Sequence, residues 1–217
     1  LTVNSSLGWR GTRFDKSLNP RGEVVDAGVM RTYFDMRTEV TGPRLVRIWT
    51  RPGGRYAERI KHLIEPSVEF RRLTAVDNYD RIVKYESGDY VIGGSLQTRY
   101  GVISRLFVKP SGDRAVSREL LNVTVYQTHY RDPRTSQFDP SYSTSFLGRP
   151  PSAFSPISIN TSLIPAEGSR ATVRLEYDPV IAAFQSISAG GSLRRGLVDV
   201  AGNFSRRRLL TGNNIFR

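Results

Sequence analysis

The sequence predicts an all-β chain: an antiparallel transmembrane β-barrel, of which these 217 residues form a partial slice of about 8–10 long strands. Three observations carry that expectation. Apolar and polar residues alternate with period two from end to end, and the 3.6-residue period of an amphipathic helix is almost absent. Several runs approach or exceed the roughly 9–11 residues with which a tilted strand crosses a bilayer, against about 5–6 for an ordinary strand. No apolar run reaches the ~18 residues of a membrane helix, so any crossing is made by strands.

Nine candidate strands follow in order, at 1–13, 28–41, 60–72, 91–108, 118–130, 156–164, 170–177, 181–193 and 197–206. The second has the clearest faces. Met30, Thr32, Phe34, Met36 and Val40 lie on one side, and Val29, Arg31, Tyr33, Asp35, Arg37 and Glu39 on the other. Every charge therefore falls on one face. Met30, Phe34 and Met36, with Val123 and Val125 of the fifth strand, are expected to face lipid. Arg31, Tyr33, Asp35 and Arg37, with Arg99 and Arg105 of the fourth, are expected to face the lumen along a substrate path. In the third strand Pro66 cannot donate to a ladder, which favours a position near a strand start or a barrel rim. Trp9, Phe14, Phe70, Tyr100, Tyr126 and Tyr130 crowd the strand ends, as the aromatic girdles of outer-membrane barrels do.

Barrels of this class join strands by short turns at one end and long loops at the other. The long connections after 72 and 130 alternate with short ones around 109–113 and 165–169. The 42–59 connection breaks this parity unless RLVRIW is itself a strand, and the connections after 178 are all short. Leu1 at the start and NNIFR at the end read as an internal slice of a longer chain, with 1–217 a fragment of one barrel domain.

Thirty-two Lys and Arg against twenty Asp and Glu give a net charge of +12, a preference for anionic partners. The basic residues are scattered over many strands rather than clustered, and no nucleic-acid-binding motif occurs, so nucleic acid is not the expected partner. The absence of cysteine removes disulfides, thiolate metal sites and cysteine nucleophiles from this segment. His62 and His129 have no ligand at metal-binding spacing, and neither a P-loop nor a GxSxG elbow is present. Asp35 with Glu39, and Glu65 with Glu69, share strand faces, but flanking arginines make an ion-paired wall the better reading than an acid–base pair.

KHLIEPSVEF, with His62, Glu65 and Pro66, resembles a strand of the C-terminal barrel domain of the lipopolysaccharide-assembly outer-membrane proteins, the LptD (OstA, Imp) family. SLQTRYGVISRLF, carrying Arg99 and Arg105, looks like the next strand of that domain. SRELLNVTVYQTHYRDP, with Arg118, Glu119, Gln127 and Tyr130, is similar to the one after it. The resemblance covers roughly the middle third of the chain. It implies an integral protein of the cell outer membrane that helps insert lipopolysaccharide (LPS) into the outer leaflet, without bond chemistry and without a cofactor. It also implies an outer-membrane lipoprotein plug, a periplasmic LPS bridge and outer-membrane lipids as partners. Rival expectations are a soluble or surface β-sandwich binding acidic glycans, with Phe34, Met36, Val123 and Val125 in a protein core, and another outer-membrane barrel. That barrel could be a nutrient receptor, or a hydrolase using His129.

Overall fold

In the computed structural model, residues 1–54, 56–112, 115–145, 150–208 and 214–216 are described. Thirteen strands run in chain order: β1 (Thr2–Phe14), β2 (Ser17–Leu18), β3 (Val24–Val25), β4 (Val29–Thr41), β5 (Leu45–Thr50), β6 (Arg59–Leu73), β7 (Leu96–Lys109), β8 (Arg118–Tyr130), β9 (Ile157–Leu163), β10 (Ser169–Asp178), β11 (Ala183–Arg195), β12 (Val198–Arg208) and β13 (Asn214–Phe216). All but β2 and β3 belong to one sheet in the order β1-β4-β6-β7-β8-β9-β10-β11-β12-β13, with β5 also on β6. Every pairing is antiparallel. The sheet is an open meander: among the described residues no pairing joins β1 to β12 or β13. Each of the nine expected strands is present.

Hydrogen-bonded partners directly across a ladder share a face, so the register carries the two-sidedness of β4 through the whole sheet. Phe34 pairs Trp9, Met36 pairs both Leu7 and Arg72, and Val40 pairs Val3 and Val68. Pro66, Val102, Val125, Ile159, Leu175 and Ile187 continue this side across β6 to β11. The other side carries Asp35, Arg37, Glu69, Arg71, Arg99, Thr128, Asn160, Arg174 and Ser188. One face is apolar and the other ionic or hydroxyl-rich. Among the described residues the only other sheet is the β2–β3 pair, so no sheet covers the apolar face. Phe34 and Met36 are 44% and 41% exposed there.

The RLVRIW run is a strand, but it continues β4 rather than adding a crossing. β4 pairs the C-terminal half of β6, from Asp35↔Leu73 to Thr41↔Ser67, and β5 pairs its N-terminal half, from Leu45↔Ile64 to Thr50↔Arg59. Residues 42–44 thus oppose only Glu65 and Pro66, a bulge with one extra residue. Pro66 therefore lies mid-strand, not at a strand start or rim, because its partner strand bends around it. The Gly42 amide donates to the Pro66 carbonyl at 2.7 Å. A Cβ on Gly42 would stand 2.6 Å from the proline Cγ, so the ring needs glycine opposite it.

With β4 and β5 merged, the connections sort by end. The strand ends that flank 15–28, 74–95 and 131–156 lie at one edge of the sheet, and those that flank 51–58, 110–117, 164–168 and 196–197 at the other. The 42–59 exception disappears: its turn is 51–58. Among connections made wholly of described residues, 179–182, joining β10 to β11, is short at the loop end. The aromatics expected to form girdles divide between the faces. Trp9, Phe70 and Tyr100 lie on the apolar face, whereas Phe14, Tyr126 and Tyr130 lie on the polar face with the arginines.

Candidate functional site

The polar face is an interlocked array of ion pairs. Asp35 accepts two bonds from Arg71, at 3.0 and 2.7 Å, while Arg37 donates to Glu69 at 2.6 Å. Arg105 faces Glu119 at 4.0 Å, and Arg44 bonds Glu65. These partners come from adjacent strands, so the pairs also cross-link the sheet. Arg10 makes no ion pair among the described residues and stands exposed beside this group. Arg10, Asp35, Arg37, Glu69, Arg71 and Arg99 line a 430 Å³ cleft.

Across β8–β12 the same face changes character. Asn122, Thr124, Asn160, Ser162, Thr172 and Ser188 line a 590 Å³ groove almost without charge. Hydroxyl and amide side chains both donate and accept, which suits sugar hydroxyls. Cations and neutral polar groups thus divide the face.

Two loops fold onto it. In 131–156, the short helix Pro133–Phe138 is capped by Asp132, whose side chain accepts from the Arg134 amide. Asp139 then accepts the Tyr130 phenol at 2.6 Å and faces Arg99 at 4.0 Å. The Tyr142 hydroxyl lies 2.8 Å from Thr128 Oγ1, and burial pushes its pKa up to about 12. Glu176, fully buried, accepts from the Ser143 amide at 2.7 Å, the Thr144 amide at 3.1 Å and the Thr144 hydroxyl at 2.9 Å. Arg99 lies over the Tyr126 ring at 5.3 Å and also bonds Ser141. Gly101, opposite Tyr126, has no room for a Cβ: the Val125 carbonyl would lie 2.5 Å away. In 74–95, Asp89 receives Arg31 through its backbone carbonyl at 3.2 Å, and Tyr90 stacks on Phe138 at 4.9 Å. The loops therefore touch each other as well as the sheet.

Of the residues singled out from sequence, Asp35, Arg37 and Arg99 converge on the cleft. Tyr33 is on the same face, against Arg31. Arg31 is there too, but it is buried beneath the 74–95 loop, with its guanidinium 5.3 Å from the Phe14 ring. Arg105 sits toward the turn end. Met30, Phe34, Met36, Val123 and Val125 all lie on the apolar face. The residues matched to the family strands scatter. Glu65, Glu119 and Tyr130 are on the polar side, His62, Pro66 and Gln127 on the apolar side, and Arg118 ties to the Ile164 and Pro165 carbonyls at the turn end. His129 shares the apolar side, its ring 5.0 Å from Phe154. Arg71, one of the arginines expected to flank the carboxylates, pairs with Asp35; sequence reasoning missed Arg10, Asp139, Arg174 and Glu176. Alternation in 170–177 could have placed Arg174 and Glu176 on one face; nothing local marks Asp139. Among the described residues no group of three or more His, Asp or Glu could hold a metal ion.

Comparison with known proteins adds no family. The chain matches no protein-family model and no curated protein.

Proposed function

We propose that this sheet is part of the wall of an outer-membrane β-barrel, with its apolar face toward lipid and its polar face lining a hydrated passage for lipopolysaccharide. The single observation that carries the barrel reading is the height of the uncharged band. On β6 the apolar side reads His62, Ile64, Pro66, Val68, Phe70 and Arg72. The ten residue steps from His62 to Arg72, at ~3.3 Å each, span about 33 Å, or about 25 Å along the membrane normal at a ~40° tilt. That is the height of the lipid-facing band of outer-membrane barrels. On the apolar side of the described strands, Arg13, Arg72, Arg206 and Arg208 lie toward the loop end, and Arg47, Arg118 and Arg195 toward the turn end. The middle carries none.

The passage fits a phosphorylated glycolipid in two ways. Arg10, Arg37, Arg71 and Arg99 offer charge compensation to phosphates, and the paired carboxylates keep these cations from binding any one anion too tightly. The neutral groove across β8–β12 offers hydroxyl and amide partners to sugar. Together with the likeness of 61–70, 95–107 and 117–133 to the LptD strands, these features favour LPS assembly over nutrient uptake. A lipoprotein plug and a periplasmic bridge protein are then the expected partners.

A photo-crosslinking amino acid placed at Arg37 or Thr124 in the full-length protein, within intact outer membranes, tests this. Capture of LPS at both positions, and none at Met36, is the expected result. Absence of LPS adducts at both polar-face positions, with the protein folded, overturns the substrate assignment.

A further inference from the structure

Near the turn end, a cluster of polar side chains stands on the apolar face. Arg47 pairs directly with His62 across β5 and β6, and His62 pairs with Leu106 across β6 and β7. The Arg47 guanidinium lies 5.2 Å from the centroid of the Trp49 ring, which stacks on His62 at 6.3 Å and 20°. His62 Nε2 is 2.8 Å from Ser104 Oγ, so this bond fixes the ring and leaves Nδ1 facing away from Ser104. Arg47 has no ion pair or hydrogen bond among the described residues, whereas Arg31, Arg37, Arg44, Arg71, Arg99, Arg105 and Arg174 each face a carboxylate. Leu45, Ile60, Ile64 and Leu106 surround it on the same side.

A cation without a counter-charge is unstable against hydrocarbon, and an aromatic ring beside it compensates only part of its lost hydration. We propose that Arg47, His62 and Trp49 form a headgroup site for the phosphate of a glycerophospholipid in the leaflet at the short-turn end. The inference rests on the barrel reading above. Arg47 lies three residues before the end of β5, where headgroups begin if the uncharged band spans the hydrocarbon. At that depth the available anion is a lipid phosphate. The arginine fork takes two of its oxygens, His62 Nδ1–H donates to a third, and the Trp49 ring lies along the glycerol and upper acyl chain. The site is external, so it is separate from any passage on the polar face.

The full-length protein folded in nanodiscs of phosphatidylcholine with phosphatidylglycerol, then released into mild detergent, provides the test by native mass spectrometry. Wild type retains one phospholipid more than Arg47→Gln, whose occupancy falls about fivefold, the change expected for losing one cation beside a membrane surface. Arg47→Lys keeps most of the retention, and Arg13→Gln, at the opposite rim, leaves it unchanged. Neutral diacylglycerol is retained equally by wild type and Arg47→Gln, and excess inorganic phosphate does not displace the phospholipid. Equal retention in Arg47→Gln overturns the site. The barrel reading is checked separately in the same nanodiscs, with any tryptophan outside these 217 residues replaced by phenylalanine: acyl-chain bromines should quench Trp9 and Trp49, both on the apolar face. Quenching with unchanged retention rejects the headgroup site alone; no quenching of either tryptophan rejects both.

Discussion

Arg37 and Arg71 stand directly opposite each other in the β4–β6 ladder, and each reaches diagonally for a carboxylate, Arg37 to Glu69 and Arg71 to Asp35. Two like charges face to face would destabilise the ladder; crossing the pairs converts that repulsion into a lock on register. Asp35→Asn leaves Arg71 beside Arg37 without its carboxylate. The loss expected is about 1 kcal/mol, because both arginines are partly solvated, and it should shrink in high salt. Urea unfolding in detergent micelles at two ionic strengths measures it.

Glu176 lies under the 131–156 loop with its oxygens facing two backbone amides and a hydroxyl. Glu176→Ala strands those donors, which costs about 1–3 kcal/mol for each one left buried, so the loop should undock to rehydrate them. Hydrogen exchange at Ser143 and Thr144 is expected to rise at least tenfold while the β8 and β10 amides stay protected. Unchanged exchange would mean that the carboxylate does not hold the loop.

Gly42 and Pro66 form a second obligate pair. Gly42→Val puts side-chain atoms where the pyrrolidine ring sits and should lower stability by about 1–3 kcal/mol. Pro66→Ala in the same chain removes the ring and should recover part of that loss. Thermal unfolding of the two single variants and the double gives the coupling, expected at about 0.5–3 kcal/mol.

Strand positions and their two faces were legible because a period of two needs only neighbouring residues: β4 showed all its charges on one side, and the register extended the opposite, apolar side to Ile187. Pro66 was misplaced because its accommodation depends on Gly42 and the bulge at 42–44, twenty-odd positions upstream. The docking of 131–156 was illegible for a related reason. Asp139, Tyr142 and Thr144 sit in a Pro- and Ser-rich stretch whose composition says loop, and their respective partners Arg99, Thr128 and Glu176 come from three other strands. Nothing near Asp139 distinguishes a docked loop from a free one. Arg71 was expected beside the carboxylates but without a named partner, and Arg174 was passed over, since pairing is settled by diagonal geometry rather than by spacing along the chain.

Tyr142 gives a pH signature for the docked loop. Its phenol, held neutral by burial, has a pKa of about 12 where an ordinary tyrosine has about 10. Below the ordinary value its contribution to docking is fully present. Between the two values the undocked loop sheds the proton first, so docking weakens as pH rises and is lost through about pH 12. Absorbance at 295 nm should show a late tyrosine step near pH 12 that Tyr142→Phe removes, leaving the earlier steps unchanged.

Because these 217 residues hold no cysteine, labels can be placed singly here once any cysteine elsewhere in the protein is replaced by serine, which allows a direct test of which face meets lipid. Single cysteines at 30 to 40 in the full-length protein, spin-labelled and reconstituted in phospholipid bilayers, report collision with oxygen, which concentrates in hydrocarbon, and with a water-soluble nickel chelate. Oxygen accessibility should peak at positions 30, 32, 34, 36, 38 and 40, with the chelate excluded from that set. Low accessibility to both reagents at 34 and 36 would mean that protein, not lipid, covers the apolar face, and the membrane-wall assignment would fall.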